Sequence, residues 1–302
     1  MFRLFSLCGI VCLFVLPSIS LASADGNLVW AGCGITKKAF MAELAKAYEK
    51  KTGIKVTLNG GGATKGIRDA TAGKIDIGGA CRPIIDRDPQ ERNAYQVPVA
   101  WDALAVIVNP ANPVQSITMA QLQGIYLGKI KNWKELGGPN APIELYIRRG
   151  KISGVGRTLR ALVFANYDQE FPGAKYIEKS TGPLEKGIEE NPLAIGTTGI
   201  SSAKRRKVKI LSLNGKYPSY DNIKNGDYIL YRPLYLVTKG IGADQKVKDF
   251  ITFALSREGR DVIRRAGSVP YADAMGLVMK QIQQYDNATD RGLYNTTASN
   301  AR

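Results

Sequence analysis

The run NLVWAGCGITKKAFMAELAKAYEKKTGIKVTLNGGGATKGIRDATAGKIDIGGACRP (27–83) alternates short apolar stretches with helical ones, and this alternation decides the fold class. Residues 27–31 read as a strand ending in GCGIT (32–36). Phe40, Leu44, Ala47 and Tyr48 then recur at helical spacing, which predicts an amphipathic helix over about 37–51, stopped by Gly53. Residues 54–58 alternate as a second strand, GGG (60–62) turns the chain, and a second helix is expected from Ile67 to near Gly73. Residues 75–79 supply a third strand. Strands alternating with helices imply a parallel sheet with right-handed crossovers, so the strand ends and the helix starts that follow them share one edge. Ligands bind at that edge. Three loops reach it here: 32–37, 59–65 and 79–83.

Working outward, VPVAWDALAVIVN (97–109) is a buried strand leading to a second lobe, and YILYRPLYLVT (228–238) is placed to return the chain to the first. Either run serves as a hinge or as a rigid core strand. Between them come a helix near 119–126, a loop at 128–138, a strand at 143–147, a helix from about Ser153, and a strand and loop in NPLAIGTTGIS (191–201). Helices near 247–255 and 258–265 close the first lobe, and the polar stretch after Asp286 reads as a loose tail. The expected division is 25–108 with 232–302 as lobe 1 and 109–231 as lobe 2.

Residues 1–24 carry a basic start, an apolar run and a small-residue Ala22-Ser23-Ala24 cleavage site, the pattern of an export signal. Export to a periplasmic or secreted location is therefore expected. Cys8 and Cys12 leave with that segment, and Cys33 and Cys81 remain. These two sit at the ends of the first and third strands, which in a doubly wound sheet are commonly neighbours. A disulfide is the leading expectation in an oxidising compartment, with two free thiols or a reactive pair as alternatives. The chain has no histidine, which removes the commonest general base and a common metal ligand, and two cysteines alone make a poor zinc site. No metal or cofactor is expected. A formal net charge of +16 favours anionic partners. The densest basic cluster, Lys204, Arg205, Arg206, Lys207 and Lys209, lacks interleaved aromatics and reads as an exposed connection rather than a nucleic-acid site.

The strongest constellation is RRGKISGVGRT (148–158), which follows a strand and opens a helix. Unpaired amides at a helix start favour an anion. Gly154 and Gly156 let the backbone approach closely, Ser153 offers a hydroxyl, and Arg149 offers a charged fork. GGGATKGI (60–67) repeats that logic on the first lobe, with Thr64 supplying a hydroxyl. It has neither the GK[ST] ending of a nucleotide P-loop nor a dinucleotide fingerprint.

In order along the chain, GCGITKKAF (32–40), GGGATKGIRDATAGKIDIGGACRPI (60–84), LQGIYLGKIKNWKELGG (122–138), RGKISG (149–154), NPLAIGTTGIS (191–201), YILYRPLYLVTKG (228–240) and FITFALSREGRDVIRRAGSVPY (250–271) resemble the periplasmic phosphate-binding proteins of ABC importers. This resemblance implies an α/β fold of the type II periplasmic binding class: two lobes, each a mostly parallel sheet flanked by helices, joined by two crossover strands. It implies a ligand held by Thr36, Ala63, Thr64, Cys81, Arg82, Arg149, Ser153, Gly154 and Val155. It also marks three departures. Cys81 aligns where well-known members place an aspartate that accepts the proton of hydrogen phosphate, Val155 replaces a threonine, and Ala63 replaces a serine. The expected partners are inorganic phosphate or a related oxyanion and a membrane permease, with the chain a monomer. Two other classes stand as alternatives: an extracellular polyanion-binding or adhesion protein reusing the fold, and a phosphatase-like enzyme, which Ser153 cannot support through a histidine base.

Overall fold

A computed structural model describes the backbone of residues 26–240 and 242–299, and side chains as far as Arg291. The export segment 1–24, with Cys8 and Cys12, lies outside the described residues. β1 (Leu28–Gly32) leads into one continuous helical stretch: α1 (Gly34–Thr36), a π turn (Lys37–Met41) and α2 (Ala42–Thr52). This stretch starts earlier than its apolar periodicity indicates, immediately after the strand. Then follow β2 (Val56–Asn59), α3 (Gly62–Thr71), β3 (Ile77–Ala80) and the long β4 (Tyr95–Val108). β5 (Ser116–Ile117), α4 (Met119–Tyr126), β6 (Glu144–Arg148), α5 (Gly154–Phe164), β7 (Ala174–Glu178), α6 (Thr181–Glu190), β8 (Ala194–Gly199), α7 (Ile200–Ala203), β9 (Lys209–Leu213) and α8 (Tyr220–Lys224) make up the middle of the chain. β10 (Tyr231–Thr238), α9 (Gln245–Leu255), α10 (Arg257–Arg265), β11 (Val269–Pro270) and α11 (Leu277–Ser299) complete it.

The strands run in the order β2-β1-β3-β10-β4-β8-β6-β7. β1 is parallel to both β2 and β3, and β6 is parallel to both β7 and β8, so each end of the order is a parallel sheet as the βα alternation requires. β4 joins the two ends. Its residues 95–103 pair antiparallel with β10, while Leu104–Val108 pair with β8. The two runs read as hinges or core strands are therefore adjacent and central, and every residue of β10 is buried. Their passage between sheets is fixed where Leu104 N–H bonds Leu230 O at 2.9 Å and the Tyr228 hydroxyl donates to Leu104 O at 2.7 Å.

Glycines bring α3 onto the sheet. A Cβ on Gly78 would stand 2.3 Å from Gly66 O, so backbone meets backbone there and no side chain fits. This contact fixes where the start of α3 points.

The start of α3 and the C-terminal stretch also differ from the sequence reading. α3 begins at Gly62, five residues before Ile67, because Gly61 and Gly62 use positive φ (134° and 82°) to enter the helix instead of merely turning the chain. The polar end is helical, not a loose tail. Leu277, Gln281, Tyr285 and Ala288 are buried on one face of α11, and Tyr285 and Ala288 pack with Ala161 and Tyr167 beside α5. Gln and Tyr in that stripe hide its period from a purely apolar count.

Candidate functional site

Four helix starts converge on one cleft of about 640 Å³. Two come from the β1–β3 sheet, at Cys33-Gly34 and Gly61-Gly62-Ala63. Two come from the β6–β8 sheet, at Ser153-Gly154-Val155 and Ser180-Thr181-Gly182. Every helix leaves its first amides without intrahelical partners, and most sequences cover them with a capping side chain. Thr118, Ser219 and Ser256 do so on α4, α8 and α10. At the cleft, Gly61, Ser153 and Ser180 make no such bond, and Cys33 offers only a sulfur. The uncapped amides and the positive ends of these helices therefore face one shared space, an arrangement that favours negative charge.

Charged side chains strengthen that preference. Lys38, Arg148, Arg149 and Lys179 line the cleft, and among the described residues no aspartate or glutamate does. Lys38 is partly committed, donating to Ser202 Oγ at 2.7 Å and lying 3.5 Å from Glu185. Arg148 donates to neutral acceptors: Lys179 O (2.8 Å), Thr181 Oγ1 (2.9 Å) and Glu178 O (3.3 Å). Its charge is thus fixed in place without a paired carboxylate there. Arg149 is exposed on the rim.

The two halves already touch on both flanks. Ile152 O accepts from Arg82 Nε at 2.9 Å and from Thr64 Oγ1 at 3.0 Å, and Thr158 Oγ1 donates to Cys81 O at 3.1 Å. On the other side, Lys38 reaches Ser202 and Arg205 donates to Lys38 O at 2.9 Å. The approach is tightest at Gly154, where an added Cβ would lie 2.4 Å from Cys81 Sγ and 3.1 Å from Ala63 Cβ.

Of the residues expected to hold the ligand, Ala63, Thr64, Cys81, Arg149, Ser153, Gly154 and Val155 all line the cleft. Two do not. Thr36 is wholly buried, its hydroxyl donates to Ala80 O at 3.2 Å, and its amide, in the first turn of α1, is directed at the Cys33 sulfur. Arg82 is also wholly buried, and all of its donor nitrogens are engaged: a bidentate pair with Glu91 (2.7 and 2.8 Å), Pro83 O, Thr64 Oγ1 and Ile152 O. In this structure it clasps the two halves together. Thr64 lines the cleft, but its hydroxyl hydrogen is spent on Ile152 O. Ser153 Oγ rests on Gly150 O at 3.3 Å. Lys38, Arg148, Ser202 and the α6 start were not anticipated. The signal for the last was STGP (180–183), a Ser cap followed by a first-turn proline.

Cys33 and Cys81 are free thiols in this structure, so the disulfide expected first is not formed. Their sulfurs are nevertheless 2.8 Å apart. A hydrogen bond with Cys81 pulls the Cys33 thiol down to about 6, against the effect of burial and with help from the charge of Arg232 and the amides of Thr36 and Ile35. Cys81, which shares that bond in a buried setting, is held well above the usual thiol range.

Lys204, Arg205, Arg206 and Lys207 lie in the turn between α7 and β9, the connection their composition indicated, while Lys209 opens β9, and part of the run is spent internally: Arg206 Nε donates to Glu185 at 2.9 Å. Among the described residues no cluster of three or more metal-ligating groups occurs, and no helix is long and apolar enough to cross a membrane.

A family model described as a PBP superfamily domain matches residues 22–258. A curated relative, the phosphate-binding protein PstS of Borreliella burgdorferi, is 29% identical over 250 residues, covering 80% of this chain and 89% of its own. The protein SphX of Synechococcus elongatus is 30% identical, covering 82% and 79%. Among solved structures, a putative phosphate ABC transporter substrate-binding protein with bound phosphate from Clostridium perfringens superposes with a TM-score of 0.73 at 28% identity, covering 81% of this chain and 99% of that one. An ABC-type phosphate transport receptor from Vibrio cholerae gives 0.63 at 28%, covering 81% and 100%. The fold is that of the type II periplasmic binding proteins.

Proposed function

The chain belongs to the PBP superfamily, and on that premise we propose that it is an extracytoplasmic solute-binding protein that captures a small oxyanion, inorganic phosphate first, between two lobes and delivers it to a membrane ABC permease. One observation carries this reading: uncapped helix starts from both sheets meet in a single cleft that cations line and carboxylates do not. A desolvated anion is costly unless each oxygen receives donors, and here the donors are fixed before the ligand arrives. The lobes are 25–108 with 232–302 and 109–231, and they hinge where β4 and the residues before β10 pass between sheets. The mature chain acts as a monomer in the periplasm or outside the cell. The names of the relatives and the phosphate bound in one neighbour support phosphate as the ligand.

Capture, not turnover, is the role. Ser153 has no histidine to activate it, and its hydroxyl faces a backbone carbonyl. A polyanion surface gains no support from the basic turn at 204–209, part of whose charge is paired with Glu185.

Phosphate at about 100 times its dissociation constant is expected to add ~2.7 kcal/mol of stability, raising the melting temperature by roughly 5–10 °C. Arg149→Ala removes an unpaired cation from the rim and is expected to weaken phosphate binding ~10- to 100-fold, the range of a charge-assisted hydrogen bond. Calorimetric titration of both proteins with phosphate, sulfate and arsenate checks this. Heat with none of the three would refute the proposal.

A further inference from the structure

The register of β1 with β3, Gly32 opposite Gly79, brings the C-terminal ends of these strands side by side, and each is followed directly by a cysteine that lines the cleft. The two sulfurs, 2.8 Å apart, are closer than unbonded sulfurs ordinarily approach. Cys33 stands at the N-cap of α1, the same helix start that would serve an anion. Behind the pair, Arg232 is wholly buried. It donates to Cys81 O at 3.1 Å and to Asp102 at 3.3 Å, and its Nε has no partner. We propose that Cys33 and Cys81 are a reversible dithiol–disulfide pair in the floor of the cleft, and that their oxidation state sets how tightly the cleft holds an anion. The second half of this inference rests on the function proposed above.

The chemistry needs only a small-molecule disulfide able to enter the cleft. The Cys33 thiolate attacks one sulfur of that disulfide, forming a mixed disulfide and releasing one thiolate. Cys81, giving up its proton, then displaces the second thiolate from the Cys33 sulfur. The protein pair is oxidised, the reagent is reduced to two thiols, and reversal uses the same thiols. Cys33 is the fitting entry point because it is the acidified member and stands at a helix start.

The consequence is electrostatic. In the dithiol form a thiolate shares the floor with the incoming anion and draws on the amides of Ile35 and Thr36. The anion must then drive its protonation. The disulfide carries no charge and leaves those amides free. The groups that set the local field are Arg232 on β10, Asp102 on β4, Arg148 on β6, Lys38 beside α1 and Tyr285 on α11. Because the Cys33 thiol titrates near 6, anion affinity of the reduced protein falls as pH rises above that value, whereas the oxidised protein has no such slope. At pH 7 the gap is about tenfold, one unit above the thiol's midpoint. At pH 5 it closes.

The test equilibrates the full mature chain in reduced or oxidised glutathione, alkylates it under denaturing conditions and weighs it. Phosphate is then titrated into each form at pH 5 and pH 7. Comparing forms at one pH cancels the ligand's own ionisation. The expected result is no alkylation after oxidation, two alkylated thiols after reduction, and an oxidised-to-reduced affinity ratio near ten at pH 7 and near one at pH 5. The ratio should vanish in the Cys33→Ser, Cys81→Ser double variant. Two alkylatable thiols after oxidation would overturn the pair, and a bridge whose ratio is the same at both pH values would overturn the gating. If neither form takes phosphate, the proposed function fails and the gating falls with it, while the alkylation result still decides the pair.

Discussion

Gly154→Ala is expected to weaken anion binding by ~10- to 100-fold while leaving the ligand-free melting temperature nearly unchanged. Alanine suits the first turn of a helix, so α5 itself is undisturbed. The methyl group, however, would stand 2.4 Å from Cys81 Sγ and 3.1 Å from Ala63 Cβ, both across the cleft. Overpacking of this kind costs about 1–3 kcal/mol, and here it falls on the closed arrangement alone. The added Cβ would keep an ordinary 4.0 Å from Cys81 Cβ, so Cys81→Ala in the same chain should recover part of the loss. Titration calorimetry of the single and double variants measures both effects. Equal affinity for Gly154→Ala and the native chain would mean that closure does not pass through this contact.

Arg82→Ala is expected to lower stability by about 3–5 kcal/mol, or roughly 10 °C in melting temperature, before any ligand is added. The change leaves Glu91 buried with its carboxylate uncompensated on that side, because Arg68 offers only a longer contact at 3.6 Å. It also removes one donor to Ile152 O, so the flank of the cleft loosens and affinity falls as well. Thermal unfolding of the ligand-free variant separates a clasp from a ligand. An unchanged melting temperature with binding abolished would return Arg82 to the set of residues that touch the anion.

These two residues show where sequence reasoning stopped. The alternation across 27–83 was enough for the parallel sheet, and the Gly-rich helix starts were enough for the anion edge, because both follow from local patterns. The fates of Arg82, Thr36 and Thr64 are not local. Each is decided by an acceptor the chain returns later or by burial: Glu91 and Ile152 for Arg82, Ala80 O for Thr36, Ile152 O for Thr64. An arginine beside a cleft reads the same in sequence whether it faces a ligand or a buried glutamate. Arg148 and Arg149 illustrate the same limit. They are adjacent on one strand end, and only the packing of β7 and α6 shows that Arg148 is the one locked in place. α6 was missed because its buried face, led by Leu184 and Ile188, holds too few apolar residues to reveal a helical period, although its Ser-Thr-Gly-Pro start was legible.

The central claim is that amides from two separate sheets bind one anion together. Amide proton–nitrogen spectra recorded during a phosphate titration test it residue by residue. The account predicts that the amides at 34–36, 62–64, 154–156 and 181–182 shift together and saturate at one phosphate per chain. Shifts confined to one sheet, or to the exposed basic turn at 204–209, would contradict it.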